Sequence, residues 1–521
     1  MFKNESGKEA ESQIQAFEDT WHWDAVAATT YHNLVNDSSP AVSKLIEALR
    51  QIVGANQMMA YLVMMTARLV ELHRVLKPTG SLYLHCDPTA SHYLKIILDT
   101  IFEPINFCNH IVWQRSDTHN DAKKQFPAIS DHLLFYRKSD KQIFNKQHSA
   151  YPEDTLREWY LYLESPDGTT RRMTKQEIDS QQIPSGFRRF NTDNMTSPNP
   201  RPNLMYVYKG YPYPPKGWRY SLETMKELDE KGLLLFPSKP DGRIMRKRYL
   251  DEQQGVTVGD VWTDISQLRA TMSERLGYPT QKPLALLERI ILASSNPGDI
   301  VLDPFCGCGT AIAAAEKLGR KWIGIDITYL SIALQKYRLA AMFPNIKFDV
   351  KGEPKDFADA KQLALNDRYQ FQWWALSLVR ARPLGGDGAS KEGKKGSDKG
   401  IDGIITFFDD NSDKSKKVLV QVKSGNVKSG DIRDLVGALQ REKMAIGVFV
   451  TLEEASKPMK VEALDAGYYT SPYGENYPKI QILTVEELMK GVKVKMPPPY
   501  GTFKQAKVVP TQTFQPKLID D

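Results

Sequence analysis

An apolar strand, a glycine-containing turn and a helix-forming segment follow one another directly between residues 300 and 318. Residues 300–303 read Ile-Val-Leu-Asp, residues 304–309 contain two glycines, and residues 310–318 have a helical pattern. A second strand, residues 321–326, also ends in an acid. Alternation of strand and helix on this scale is typical of α/β domains with largely parallel sheets. The segment therefore predicts an α/β core.

The same alternation occurs elsewhere in the chain. Apolar residues at steps of three and four predict an amphipathic helix over residues 58–76, ended by Lys77-Pro78-Thr79-Gly80. Further predicted elements are strands at 81–85, 110–113 and 132–136, and helices at 90–102 and 283–294. We expect an α/β fold with a mixed, mostly parallel sheet.

A chain of 521 residues is expected to form two or three domains. From about 140 to 260 the helix–strand rhythm fails, and aromatic, proline and basic residues mix, which predicts an inserted recognition region within a domain spanning 1–345. Residues 346–369 are predicted to be a linker and 493–521 a tail. Between them, a helix at 371–379 and strands at 403–408 and 417–422 predict a second α/β domain over 370–492.

Composition restricts the class of protein. Hydrophobic residues make up 41% and charged residues 25%, which is ordinary for a soluble globular chain. The longest uncharged stretch, between Arg50 and Arg68, contains Gln and Asn side chains and is a poor membrane span, and charges interrupt the N-terminus before any signal-like apolar run. The four cysteines lack zinc-site spacing. We expect a cytoplasmic protein without a membrane partner.

The turn after residue 303 has the features of a nucleoside site. Gly307 and Gly309 would let backbone amides approach a ligand, and Asp326, nineteen residues after Gly307, could bind ribose hydroxyls. A dinucleotide site is the main alternative, but its third glycine would fall at Ile312. A plain strand-to-helix turn is the other alternative.

This segment, together with Tyr278-Pro279-Thr280-Gln281-Lys282-Pro283-Leu284, resembles the bacterial DNA amino-methyltransferases whose catalytic half comes first, most closely the adenine-specific type. The resemblance covers roughly residues 15 to 345. It implies a Rossmann-like fold, S-adenosylmethionine as cofactor, double-stranded DNA as partner and a restriction-modification context. A homodimer and an association with a restriction subunit are both compatible with it. The resemblance implies that Phe305 packs on the adenine, that Asp326 binds the ribose, and that Gln281 and Lys282 close the methionine side. The full set of implied cofactor residues is Asp303, Phe305, Gly307, Gly309, Thr310, Asp326, Gln281 and Lys282.

One element of the family is absent from these residues. Such enzymes orient a flipped base with an acidic or amide residue followed by Pro-Pro and an aromatic. Asp87-Pro88-Thr89-Ala90 lacks the second proline and the aromatic, and Pro498-Pro499-Tyr500 follows another proline in the tail. We therefore expect a chain without its first strand and without catalytic residues, in which methylation is weak or lost. No proline precedes a cysteine, which disfavours methylation of the cytosine ring carbon.

Basic residues concentrate in the predicted insertion. Residues 201–250 hold eleven Lys and Arg against five Asp and Glu, a balance that suits a phosphate backbone. The candidate DNA-binding residues are Arg201, Lys209, Lys216, Arg219, Arg243, Arg246, Lys247 and Arg248.

The second domain carries its own candidate site. Asp402 stands at a strand start, and Gln421 and Lys423 alternate onto one face of the next strand, where they could hold a divalent metal beside a phosphate. This is similar to the core of the Mrr-like restriction endonucleases, although Gln370 or Gln372 replaces the usual Glu. The resemblance implies magnesium at Asp402 and Gln421 with Lys423 as nuclease residue. The alternatives are an ordinary mixed domain, or a DNA-binding fragment whose activity is metal-dependent cleavage.

Overall fold

The computed structural model describes residues 22–117, 124–237, 239, 242–269, 272, 274–276, 278, 280–383, 401–407 and 416–497. These residues divide into two compact units. One unit is Lys146–Gly259, and the other contains the described residues before and after it. None of the described helices is long and apolar enough to cross a membrane.

The first unit begins with four helices and three strands. They are α1 (Ala25–Asp37), α2 (Pro40–Val53), α3 (Gln57–Val75), β1 (Ser81–Cys86), α4 (Pro88–Phe102), β2 (Phe107–Gln114) and β3 (Ser130–Arg137). The predicted helix at 58–76 and strand at 81–85 are confirmed to within a residue. Asn56 caps α3 by accepting a hydrogen bond from the Met59 amide, as expected of an N-cap amide.

The second unit is an inserted antiparallel structure. Its elements are β4 (His148–Ser149), α5 (Glu153–Trp159), β5 (Tyr162–Glu164), β6 (Thr170–Arg172), α6 (Lys175–Ser180), β7 (Arg188–Asn194), α7 (Leu222–Glu230), β8 (Leu234–Leu235), β9 (Met245–Tyr249) and β10 (Val256–Thr257). Five of the strands form one sheet in the order β6-β5-β7-β9-β8. Met225 and Trp218 are at the centre of a small core beside it.

The chain then returns to the first unit. Its next elements are β11 (Val261–Trp262), α8 (Leu284–Ser294), β12 (Ile300–Asp303), α9 (Thr310–Lys317), β13 (Lys321–Gly324) and α10 (Tyr329–Met342). A four-stranded sheet has the order β1-β3-β2-β11, and β12 and β13 form a separate parallel pair. In the larger sheet β3 is antiparallel to β1 and β2, while β11 is parallel to β2. The predicted α/β class and the mixed sheet are confirmed, with the longest pairings antiparallel.

The last part contains α11 (Phe357–Asn366), α12 (Arg368–Leu378), β14 (Arg382–Pro383), β15 (Gly403–Phe407), β16 (Lys416–Lys423), α13 (Ser429–Arg441), β17 (Ile446–Thr451), α14 (Lys457–Asp465), β18 (Tyr468–Thr470), β19 (Asn476–Pro478), β20 (Ile480–Thr484) and α15 (Val485–Met489). A five-stranded sheet has the order β14-β15-β16-β17-β20. Helix α11 lies within the stretch 346–369 that the sequence predicted as a linker, and its Ala360 is fully buried in the core of this part.

Candidate functional site

A cleft of about 680 Å³ opens within the first unit. Strands β1 and β12 line it along their lengths, and the glycine turn after β12 and the segment Thr280–Lys282 line one end. The turn predicted as a nucleoside site therefore faces a cavity of the size that small-molecule sites have.

The turn needs both of its glycines. Gly307 and Gly309 have φ values of 48° and 72°. A Cβ at Gly309 would lie 2.6 Å from Cγ of Gln335, and a Cβ at Gly307 would lie 3.0 Å from the Tyr278 ring. Because only glycine adopts this conformation without strain, the backbone here can approach a ligand closely. The predicted reason for these glycines agrees with the geometry.

Two acids end the neighbouring strands β12 and β13 at this turn. Asp326 accepts hydrogen bonds from the Gly307 amide (2.9 Å) and from the Thr328 amide (3.0 Å), which fix its carboxylate beside the turn. Asp303 accepts from the Phe305 amide at 3.1 Å. Burial, followed by the charge of Asp326, raises the pKa of Asp303 above its ordinary value. The structure thus brings both predicted acids together.

Other predicted cofactor residues differ in what they contact. The Phe305 side chain lines the cleft and is 49% exposed, so its ring face is available to a ligand. Thr310 is buried, and its hydroxyl accepts a hydrogen bond from Arg338 at 2.9 Å. Gln281 accepts from the Leu276 amide (2.8 Å) and donates to the Glu274 carbonyl (2.7 Å). Both ends of its amide thus hold its own loop, but Gln281 also lines the cleft, and its role on the methionine side stays a prediction.

A polar cluster at the end of β1 was missed by the sequence reasoning. His85 lies 2.8 Å from Asp131 on β3, and the Lys282 ammonium lies 4.0 Å from the same carboxylate. Burial lowers the pKa of His85. Burial raises the pKa of Asp131, but the hydrogen bond from His85 and the charges of Lys282 and Arg115 outweigh it and lower that pKa overall. No local spacing signals this cluster, because its members meet only through strand pairing.

The second unit shows which of its candidate cations are accessible. Arg201, Lys209, Lys216, Arg219 and Arg243 are exposed. Lys209 is paired with Asp229, and Arg219 with Asp193.

Strand β9 carries the other three candidates, Arg246, Lys247 and Arg248. Lys247 is 7% exposed and its ammonium lies 3.2 Å from Glu164, so its predicted DNA contact is corrected to a structural ion pair. Because side chains alternate along a strand, Arg246 and Arg248 lie on the opposite face, where they are partly exposed.

The candidate metal site of the last part does not fit magnesium. Both oxygens of Asp402 accept hydrogen bonds, one from the Gln372 side chain (2.8 Å) and one from the Val422 amide (2.6 Å). Gln421 is buried, and Lys423 lies 3.5 Å from Asp431. Within the described ranges no three His, Cys, Asp or Glu side chains form a group that could hold a metal ion. Since magnesium prefers carboxylate oxygens and waters, the predicted site is corrected.

Two family profiles match the chain. Residues 33–334 match the family described as DNA methylase of the N6/N4 type, which is 302 of 521 residues. Residues 387–490 match a family described as NACHT-associated inactive Restriction Endonuclease 1. The second resemblance agrees with the predicted endonuclease ancestry, but its description as inactive speaks against the predicted cutting activity. Residues 385–400, which the sequence predicts to be a glycine- and lysine-rich loop, lie outside the described residues.

Curated relatives resemble the first part of the chain. The Type II methyltransferase M.EcaI of Enterobacter cloacae is 32% identical over 51% of this chain and 54% of its own length. The Type II methyltransferase M1.MboII of Moraxella bovis is 40% identical over 48% of this chain and 67% of its own length. The DNA adenine methyltransferase YhdJ of Escherichia coli K12 is 53% identical over 16% of this chain and 29% of its own. The chain thus spans about half the length of the first relative.

A solved structure was also matched. The PvuII DNA methyltransferase, described as cytosine-N4-specific, is 12% identical over 57% of this chain and 74% of its own, with a TM-score of 0.27.

Proposed function

The chain belongs to the DNA methylase family, and from that premise we propose that it binds S-adenosylmethionine in the cleft at the end of β12 and serves methyl transfer to an exocyclic amine of DNA. The observation that carries the proposal is the glycine turn: Asp303 and Phe305 line the cavity there, and Asp326 accepts a hydrogen bond from the Gly307 amide of the same turn. A nucleoside fits there because the exposed ring of Phe305 can stack on a base, and Asp326 stands at the end of the neighbouring strand, where ribose hydroxyls bind.

We propose adenine as the target base. The support is the identity to a relative named as an adenine methyltransferase. In the reaction the amine nitrogen forms a bond to the sulfonium methyl, the sulfur–carbon bond breaks, and the amine releases a proton to water. Since positioning dominates chemistry of this kind, residues that hold the base matter most. The 521 residues contain no acidic or amide residue followed by Pro-Pro and an aromatic, so we propose that methyl transfer by these residues alone is weak or lost.

The DNA partner is proposed to contact the exposed cations of the second unit. Arg201 and Arg243 are exposed, and the partly exposed Arg246 and Arg248 share one face of β9, where Arg248 also pairs with Asp193 at 2.7 Å. Cations on one surface can neutralise phosphates and release counterions. The alternative function, metal-dependent cleavage by the last part, is disfavoured because the candidate set of Asp402, Gln421 and Lys423 contains a single carboxylate, whereas magnesium is held by several oxygen ligands.

Calorimetry tests the cofactor proposal. The full chain should bind S-adenosylmethionine and its demethylated product, and neither NAD nor ATP should compete. Asp326→Ala should weaken the cofactor by roughly 10- to 150-fold, since a hydrogen bond to a charged group contributes about 1.5–3 kcal/mol.

Asp349→Ala is the matched control, because Asp349 is an exposed carboxylate that does not line the cleft. Cofactor binding that is indifferent to Asp326, or tighter binding of NAD, would overturn the proposed site.

A further inference from the structure

Helix α12 of the last part packs against the candidate cofactor site. Its Trp373 side chain lies against a cluster of buried side chains formed by Tyr278, Cys308, Leu330 and Leu334. The same indole also packs against the core of the last part. One side chain of α12 is therefore shared by the core of the last part and the small core at the glycine turn.

This cluster fixes the position of the glycine turn. Cys308 is the residue between the two glycines of the turn, and it is buried. The Tyr278 ring lies so close to Gly307 that a Cβ there would be 3.0 Å from it. The Tyr278 hydroxyl lies 3.3 Å from the Ser331 hydroxyl of α10. Because protein interiors are close-packed, the backbone of the turn should respond to a change at Trp373.

A second side chain of α12 holds the start of α10. The Gln370 side-chain oxygen accepts a hydrogen bond from the Tyr329 amide at 2.8 Å. Tyr329 is the first residue of α10, and the first amides of a helix have no acceptor within the helix itself. The preceding residue, Thr328, donates its amide to the Asp326 carboxylate at 3.0 Å. The acceptor supplied by α12 is thus bound next to the amide that holds the candidate ribose-binding acid.

Strand β14, which follows α12, supplies a third contact. The Arg382 guanidinium donates to the Leu276 carbonyl at 3.0 Å. The Leu276 amide donates to the Gln281 side chain at 2.8 Å, and the Leu276 side chain packs against the same cluster as Trp373. Since Gln281 lines the cleft, the segment at one end of the cleft is bound to the last part.

Helix α12 contacts both the cofactor turn and the sheet of the last part. Gln370 and Trp373 are three residues apart, a spacing that places them on one side of a helix. Gln372 lies on a different side and donates to Asp402 of the last part at 2.8 Å. The helix therefore connects the two parts of the chain through side chains on separate faces.

We propose that Gln370 and Trp373 are positioning residues for S-adenosylmethionine, and that the cofactor site is complete only when the last part is packed on it. The described lining of the cleft includes neither side chain, so both act through Tyr278 and the start of α10. The identity of the ligand rests on the proposed function, whereas the packing of α12 does not. Because coupling between sites is reciprocal, the bound cofactor should in turn strengthen the packing of α12.

Calorimetry of the full chain with S-adenosylmethionine tests the packing contact. Trp373→Ala should weaken binding about 5- to 150-fold, the usual range of coupling between two sites. Trp373→Phe keeps an aromatic ring against the cluster and should recover most of that loss. Leu378→Ala is the matched control, because it truncates another partly buried side chain of α12 that packs against the core of the last part. It should bind the cofactor like the parent.

The hydrogen bond to α10 has a test of its own. Gln370→Leu removes the acceptor and should weaken the cofactor about 2- to 10-fold, which corresponds to one neutral hydrogen bond. Gln370→Glu restores an acceptor oxygen at a helix N-terminus, where a carboxylate is favourable, and should bind like the parent. Gln362→Leu, at an exposed position of α11, is the control and should have no effect.

Hydrogen–deuterium exchange without any ligand separates the coupling from the identity of the cofactor. The Gly307 and Gly309 amides are both hydrogen-bonded, at 2.9 and 2.7 Å. In Trp373→Ala both should exchange at least about fivefold faster than in the parent, and Leu378→Ala should leave both unchanged. If the parent binds no S-adenosylmethionine, the proposed function fails, and faster exchange in Trp373→Ala still supports the positioning role.

Three results would overturn the positioning role. One is exchange at the turn of Trp373→Ala that equals that of the parent. Another is a loss in Leu378→Ala as large as that in Trp373→Ala. The third is Gln370→Glu that behaves no better than Gln370→Leu. Thermal unfolding identifies a variant that does not fold, and the two Gln370 variants, read by the same binding and exchange measurements, then decide the outcome.

Discussion

Strands β12 and β17 are both short, apolar and parallel to a neighbour, yet they differ in burial. All six residues of β17 are buried, and the strand pairs with β16 on one side and β20 on the other. In β12, Ile300 is exposed and the other three residues are half-buried. Its cleft side has no paired strand within the described ranges.

The difference shows that burial of an apolar strand is set by its neighbours more than by its own residues. Leu302 and Val448 have similar side chains, but only Val448 is sealed by strands on both sides. The open edge of β12 is also where the glycine turn and the candidate cofactor residues lie. The open strand edge and the candidate site therefore coincide at the β12–β13 pair, while β17 lies between two strands of the five-stranded sheet.

An aspartate placed in β12 and in β17 should give the largest difference in stability between the two strands. Val448→Asp buries an unpaired carboxylate at a fully buried position, and it should lower the free energy of unfolding by at least about 3 kcal/mol. Ile300→Asp places the same group at a position that is 53% exposed, where the loss should be about 1 kcal/mol or less. Urea denaturation measures both. Equal losses would mean that the edge of β12 is not open in solution.

The turn after β12 should be rigid although the strand edge is open. Gly309→Ala introduces both a positive-φ strain and a Cβ 2.6 Å from Gln335. Gly319→Ala has nearly the same φ, 71°, with nothing within 4 Å of its Cβ, so it is a matched control for the strain alone. We expect Gly309→Ala to cost about 1–3 kcal/mol more than Gly319→Ala, the usual cost of overpacking. Identical thermal unfolding of the two variants would show that the Gln335 contact yields freely.

Much of the geometry of the candidate cofactor site was predictable from local sequence patterns. The strand at 300–303, the glycine turn and the acid after the next strand lie close together in the sequence. The alternation of strand and helix and the two glycines were therefore enough to place Asp303 and Asp326 together. The alternation of Gln421 and Lys423 onto one face likewise follows from the strand. Such features need no knowledge of distant residues.

Features that depend on tertiary pairing were not predictable in this way. The His85–Asp131 contact joins residues 46 positions apart through the β1–β3 register. The burial of Lys247 depends on Glu164 from another strand, and basic composition alone could not separate it from exposed Arg243. The helix within the predicted linker was missed because its core contacts, through Ala360, come from the last part of the chain.

His85 at the end of β1 should make the stability of the first sheet region depend on pH. Strand β17 should show no such dependence, since it carries no ionisable side chain. The folded pKa of His85 lies below its ordinary value, so the unfolded chain binds more protons as the pH falls through 6.5, and stability is lost in that direction. The loss is at most about 1.4 kcal/mol per pH unit for one proton. His85→Gln should flatten the stability profile between pH 7 and 5, measured by urea denaturation, while the exposed control His22→Gln should follow the parent. Parallel profiles for His85→Gln and the parent would show that this imidazole titrates alike in the folded and unfolded chain.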